Sequence, residues 1–244
     1  MRADLLEAQA SVDWVWGQLP PLNQRLEAWL EANVTIEIRD VPPPATHNPV
    51  VALEKEILPI AFSVEAGAYI NAIRSSLDIL AMALVRRHAL SIEDRRVYFP
   101  IADSEEALVK KGGTPLLQQL PEEDRAKLFS LKPYRGGNAA LWALHHLDIV
   151  RKHRRLLDVQ IRPIHLSMSG SLKPGDFEPL HGEPFQAGAE TVIGLIRKGV
   201  PGPAMQSRFY VAINEPGTIQ RRPVLATLAH LADTASSAIK LFDV

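Results

Sequence analysis

The chain has no cysteine among its 244 residues. Disulfides, thiolate nucleophiles and cysteine-ligated metals are therefore excluded. Neither charge is in excess: 27 Lys and Arg stand against 28 Asp and Glu, a net charge of −1. No global field draws such a chain to nucleic acid or anionic lipid, so binding of that kind has to come from a local patch. The segment Met1-Arg-Ala-Asp-Leu-Leu-Glu7 carries no apolar signal core, and no uncharged apolar run reaches the roughly 20 residues that cross a bilayer. A cytoplasmic bacterial protein with no membrane partner is the default expectation. A Walker loop, a serine nucleophile elbow and a dinucleotide fingerprint are also missing, as are internal repeats.

What is present is an ordinary globular composition, 46% hydrophobic and 23% charged. The length suits a single domain, 1–244, with enough chain to bury a substantial core. Leu5, Val12, Val15, Leu19, Leu26 and Trp29 mark an apolar stripe that predicts a helix over 3–32, broken or kinked at Pro20-Pro21. Val34, Ile36 and Ile38 alternate with polar residues and predict a strand, followed by an extended connector over 42–50. Residues 51–58 fit either strand or helix. Ile70, Ile73, Leu77, Leu80 and Leu84 recur at spacings of three and four and predict a long helix over 60–88. Val97–Ile101 reads as extended, and 104–111 and 121–130 as short helices joined through Gly112-Gly113 and Pro115.

Asn138 is a predicted N-cap for a helix running to about Leu157. Alternation then takes over at Val159 and Ile161, at Leu166 and Met168, over 190–197 and over 207–213, with loops at Lys173–Asp176 and Pro201–Pro203. Pro223 opens a last helix with Leu225, Leu228, Ala232, Ala235, Ile239 and Phe242 on one face. Helices, then strands, then a closing helix predict an α+β fold: a helical bundle with a mostly antiparallel sheet. A sub-boundary near 158 would leave 1–158 mainly helical, 159–222 mainly β, and 223–244 returning to the bundle.

Two of the predicted helices carry polar stripes beside their apolar faces. Asn71, Arg74 and Asp78 fall at i, i+3 and i+7 on the first, and His145, Asp148 and Lys152 repeat that spacing on the second. His146 and His153 form a parallel line. Side-by-side packing would let Arg74 meet Asp148, and Asp78 meet Lys152 or Arg151. Charges beside an apolar seam are tolerable only when paired. One reading is thus an internal lock that fixes the register of two core helices. The other is a site in which His145, His153 and Asp148 do acid–base work while Asn71, Arg74, Asp78, Lys152 and Arg154 hold a ligand bearing phosphate, or RNA. No metal site is expected, because no zinc or di-iron spacing occurs and Arg151 and Lys152 would repel a cation. No cofactor is implied. Lys132, Arg135 and Gly136-Gly137-Asn138 could hold an anion at a helix start, or simply form a turn.

Asn71-Ala-Ile-Arg-Ser-Ser-Leu-Asp78 and Leu141-Trp-Ala-Leu-His-His-Leu-Asp-Ile-Val-Arg-Lys-His-Arg154 resemble paired helix motifs of a family of uncharacterised bacterial proteins, with Phe99-Pro-Ile101 and Lys132-Pro-Tyr134 as further landmarks. Arg151 departs from that pattern, which has an aspartate before Lys-His-Arg. The resemblance implies a fold and a site without a reaction. A looser architectural similarity is to HEPN-type helical bundles, many of them RNases. Their hallmark, Arg followed by His after four to six residues, does not occur here. The sequence thus predicts an internal lock in a homo-oligomeric, homodimer-forming protein, with the RNase-like site as the alternative.

Overall fold

A computed structural model describes residues 1–110, 115–169, 173–180, 190–200 and 204–243. The helices are α1 (Leu6–Asn33), α2 (Ala61–Arg87), α3 (Glu105–Lys110), α4 (Pro115–Gln119), α5 (Glu122–Ser130), α6 (Ala139–His153) and α7 (Val224–Lys240). The strands are β1 (Val34–Ile38), β2 (His47–Glu54), β3 (Val159–Ser169), β4 (Phe177–Pro179), β5 (Glu190–Arg197), β6 (Ala204–Glu215) and β7 (Ile219–Pro223). The fold is α+β, as the element order predicts.

The strands make two sheets rather than one. β1-β2-β5-β4 form a four-stranded sheet and β3-β6-β7 a three-stranded one, every pair antiparallel. β2 takes in part of the stretch expected to be a connector, because Val50, Val51 and Ala52 are buried and pair with β5. Lys173–Asp176 is the expected turn, with the Lys173 amide donating to Asp176 Oδ2 at 2.7 Å. The Gly112-Gly113 joint and the Pro201–Pro203 loop lie outside the described residues, as do the side chains of Leu166 and Met168.

α2 is the centre of the bundle and packs on α1, α6 and α7. It is apolar enough to span a bilayer by length and composition, but 61% of its most apolar window is buried in the fold. Ala66, Gly67, Ala81 and Ala83 are buried along it and permit close neighbours. α7 covers α1 and α2 with Leu228, Leu231, Ala232, Ala235 and Ile239, all buried. The two chain ends meet under this layer: Arg87 Nε donates to Asp4 Oδ2 at 2.7 Å and Arg87 Nη1 to the Phe242 carbonyl at 3.0 Å.

α1 runs unbroken through Pro20 and Pro21. Each proline removes a helix hydrogen bond. The carbonyls so freed belong to Trp16 and Gly17, both on the exposed side, where water can serve them. Leu19, Leu22 and Leu26 hold the opposite side in the core. α6 stops at His153 rather than near Leu157, and Arg151, Lys152 and His153 sit against its negative end. Beyond it, Arg155 grips the buried Glu215 of β6 with both terminal nitrogens, at 2.9 and 2.8 Å.

The lead-in to α6 is a tight turn. Gly136 has φ +87°. A Cβ at Gly137 would stand 2.5 Å from the Lys132 carbonyl oxygen. Asn138 then caps α6, its side chain accepting from the Leu141 amide at 3.1 Å. Gly137→Ala forces the turn open, and it is expected to lower unfolding free energy by about 1–3 kcal/mol in urea titrations.

Candidate functional site

α2 and α6 lie antiparallel. Gly67 faces Arg151, Asn71 faces Asp148 and Arg74 faces His145, so rising numbers on one helix meet falling numbers on the other. The helix spacing of three and four keeps these pairs in step for two turns. Asn71 Nδ2 donates to Asp148 Oδ1 at 3.0 Å. Arg74 Nε donates to His145 Nδ1 at 3.4 Å, a long bond. The Arg151 stem lies across Gly67, where a Cβ would come within 3.0 Å of it.

This direction overturns the expected ion pairs. Arg74 with Asp148, and Asp78 with Lys152, would need the helices to run parallel. Antiparallel packing sends Asp78 and Lys152 to opposite ends of the seam. Each charge is instead balanced on its own helix. Arg74 Nη1 donates to Asp78 at 2.6 Å, and Lys152 Nζ lies 2.6 Å from Asp148 Oδ2. Arg151, at 3.9 Å from Asp148, is a looser neighbour.

A third segment closes the seam. Phe99, in the loop before α3, has its amide 2.8 Å from Asp78 Oδ1, and its carbonyl accepts from Arg74 Nη2 at 3.2 Å. The Phe99 ring is fully buried. One Arg–Asp pair on α2 thereby satisfies both backbone groups of a residue that belongs to no helix or strand, which backbone inside a core requires. Only the resemblance that singled out Phe99-Pro-Ile101 pointed to this segment. Side-chain spacing carries no trace of a partner supplied by main chain.

Arg74 and Asp148 are buried, while the side chains of Asp78 and Lys152 are 38% and 40% exposed. The polar line therefore runs from the core to the surface at both ends. His145 is half-buried. Arg74 can only donate, so Nδ1 accepts and the ring is neutral with its proton on Nε2. Burial first, and then the Arg74 guanidinium, holds its pKa below the ordinary 6.5, against the pull of Asp148, Asp78 and Asp103.

His153 and Arg154 are exposed at the end of α6 and make no bond to the cluster among the described residues. They do not join His145 and Asp148 in one constellation. His146 stacks on Trp142 with ring centroids 5.2 Å apart, and the Arg135 guanidinium covers the same Trp142 at 5.2 Å. Arg135 is thus drawn to an indole. Among the described residues no group of three or more His, Asp and Glu could hold a metal. Compared with protein-family models, with curated proteins and with solved structures, the chain finds no match in any of the three.

Two outcomes are expected. Asp78→Ala strands the buried Arg74 and the Phe99 amide together. It should cost roughly 2–3 kcal/mol by chemical denaturation, the open side of Asp78 keeping the loss below that of a sealed pair. For His145 the folded pKa is depressed, so the folded protein binds this proton less readily than the unfolded chain. The stability it contributes is complete above the unfolded value of 6.5 and is lost as pH falls from there toward the folded value. Unfolding free energy should therefore decline with acidification below that value. His145→Asn, which keeps an acceptor near Nδ1, should flatten the decline in a series of titrations at stepped pH.

Proposed function

We propose that this chain is a non-catalytic interaction protein whose polar cluster is an internal lock and whose working state joins two copies. The observation that carries this reading is that every nitrogen of the buried Arg74 guanidinium is engaged within the protein. Its Nε serves His145, its Nη1 serves Asp78 and its Nη2 serves the Phe99 carbonyl. A guanidinium that binds a phosphate offers a free fork of N–H donors. Arg74 is buried and has each of its three nitrogens engaged within the protein. His145, with Arg74 donating to it, is likewise part of the seam.

The pairing of two copies draws on a different surface. Ile60 and Val64, one turn apart at the start of α2, are 71% and 51% exposed, and Ile57, in the loop that leads into the helix, is 65% exposed. A two-fold interface sets each residue near its own counterpart, so its centre has to be self-complementary. An uncharged apolar stripe meets that condition, whereas a charged one repels itself. Glu65, the nearest charge on α2, is held by Arg25 and by the Tyr69 hydroxyl at 2.6 Å, and the exposed Lys55 and Glu56 that precede Ile57 are of opposite sign.

Light scattering of the purified chain is expected to give a dimer mass, and Ile60→Asp with Val64→Asp a monomer mass without loss of helical signal. A monomer at all concentrations for the unaltered chain refutes the pairing. A ligand of the folded state raises the unfolding temperature by mass action, and for the lock no rise produced by inorganic phosphate or a short single-stranded RNA should depend on Arg74. A concentration-dependent rise that Arg74→Lys abolishes would instead establish the cluster as a phosphate or RNA site.

A further inference from the structure

On the far side of α6 from the polar seam lies a cleft of about 820 Å³, walled by α6, α7 and the β6–β7 hairpin. We infer that it binds a small molecule with an anionic head and an apolar body, a carboxylate or phosphate ester of a short hydrocarbon. This is a site apart from the lock and from the Ile60 stripe.

The charge around the cleft is of one sign. Arg222 lines it, and no Asp or Glu stands among the described lining residues. Arg222 is exposed, and its side chain has no ion pair or hydrogen bond among the described residues. The cation is therefore available to a ligand, unlike Arg74.

Donors converge on the same space. Ala139 and Ala140, the first two residues of α6, line the cleft. Their amides are not the ones Asn138 caps, since Asn138 serves Leu141 with its side chain and Trp142 with its carbonyl. The start of α7 has no side-chain cap, and Pro223, Ala226 and Thr227 of its first turn face the cleft. Two helix starts therefore border one cavity with their positive ends.

A buried hydroxyl points to a missing partner. Thr227 is 8% exposed, lines the cleft and has no side-chain hydrogen bond among the described residues. Thr218, across the cleft on the hairpin, has its Oγ1 shielded from water and without a partner. Of the two, only the Thr218 hydroxyl is sealed from water; the Thr227 hydroxyl, without a protein partner, stays in contact with solvent and is the one a ligand of the cleft can reach. Gln220 and His230 add two further polar side chains to the wall, and Ala143, Ala226, Ile219 and Leu231 supply its apolar part. That combination, a mostly apolar concavity with a few convergent polar groups, is what small-molecule sites share. The alanines leave room that larger side chains would fill.

Calorimetric titration of the full chain with octanoate, octyl phosphate and octanol tests this. At least one of the two anions should bind about tenfold more tightly than octanol, the gain of a charge-assisted contact, and the tighter of the two identifies the head group. Arg222→Gln, on the surface, should remove most of that preference while leaving octanol binding alone. Thr227→Val should weaken the anion severalfold, and Ala226→Phe, which occupies the mouth, should abolish binding of all three. Equal affinity for octanol and both anions, no binding of any probe, or anion binding indifferent to Arg222→Gln would each overturn the inference.

Discussion

The antiparallel register of α2 against α6 is the constraint on which the rest of the structure depends. Asn71–Asp148 and Arg74–His145 join the two helices side chain to side chain, and the Arg151 stem over Gly67 marks a third level. Apolar helices can slide by a turn at little cost, because one leucine replaces another. Slippage here would strand Asp148 and Arg74 without partners in a buried seam, which is very costly. Buried polar pairs contribute little net attraction, and their effect lies in excluding the alternatives. Because α2 also carries α1 and α7, its position passes to the whole bundle.

The same seam reaches outward. Asp78 and Arg74 together hold Phe99, and Phe99 brings the segment before α3 into the core. From there the Ala102 amide donates to the Pro133 carbonyl and the Arg135 amide to the Ala102 carbonyl, so the strand-like stretch docks beside the turn that starts α6. At the other end of α6, Arg155 and Glu215 carry the tie into the second sheet. Three clamps of charge and backbone thus link bundle, loop and sheet. The exposed end of α6, with His153 and Arg154, is left as ordinary helix-end chemistry.

Much of this was legible in residue patterns. The spacing of Ile70, Ile73, Leu77, Leu80 and Leu84 placed α2 almost to the residue, and Asn138 marked the start of α6. Both are local signals. The polar stripes were legible as stripes, but not their partners. Periodicity says which residues share a face and is silent on whether two helices run parallel or antiparallel, and that one choice of direction decided every pair. Partners supplied by backbone, such as the Phe99 amide and carbonyl, leave no mark in side-chain spacing. α1 passed through Pro20-Pro21 because the lost bonds fall on its wet face, a fact of tertiary position. α4 is too short for a periodic signal. The cleft was invisible for a further reason: it is made of what is absent, alanines and uncapped amides on three separate elements.

The pairing of β2 with β5 has a consequence for the way this chain reaches its fold. His47 stands opposite Arg197 and Leu53 opposite Glu190. A strand near the N-terminus must therefore wait for one that emerges from the ribosome some 140 residues later. Contacts of such long range slow folding. Meanwhile one edge of β2, with the apolar run Val50-Val51-Ala52, stays open to any other strand that passes. Pro49 sits directly before that run, but its carbonyl accepts from the Arg39 amide, so the donor it lacks faces the β1 side and not the edge that awaits β5. In the finished protein it costs the sheet one donor. In the nascent chain the edge awaiting β5 therefore keeps its full set of backbone donors, and the charged pair Lys55-Glu56 just past the strand is what stands against aggregation there.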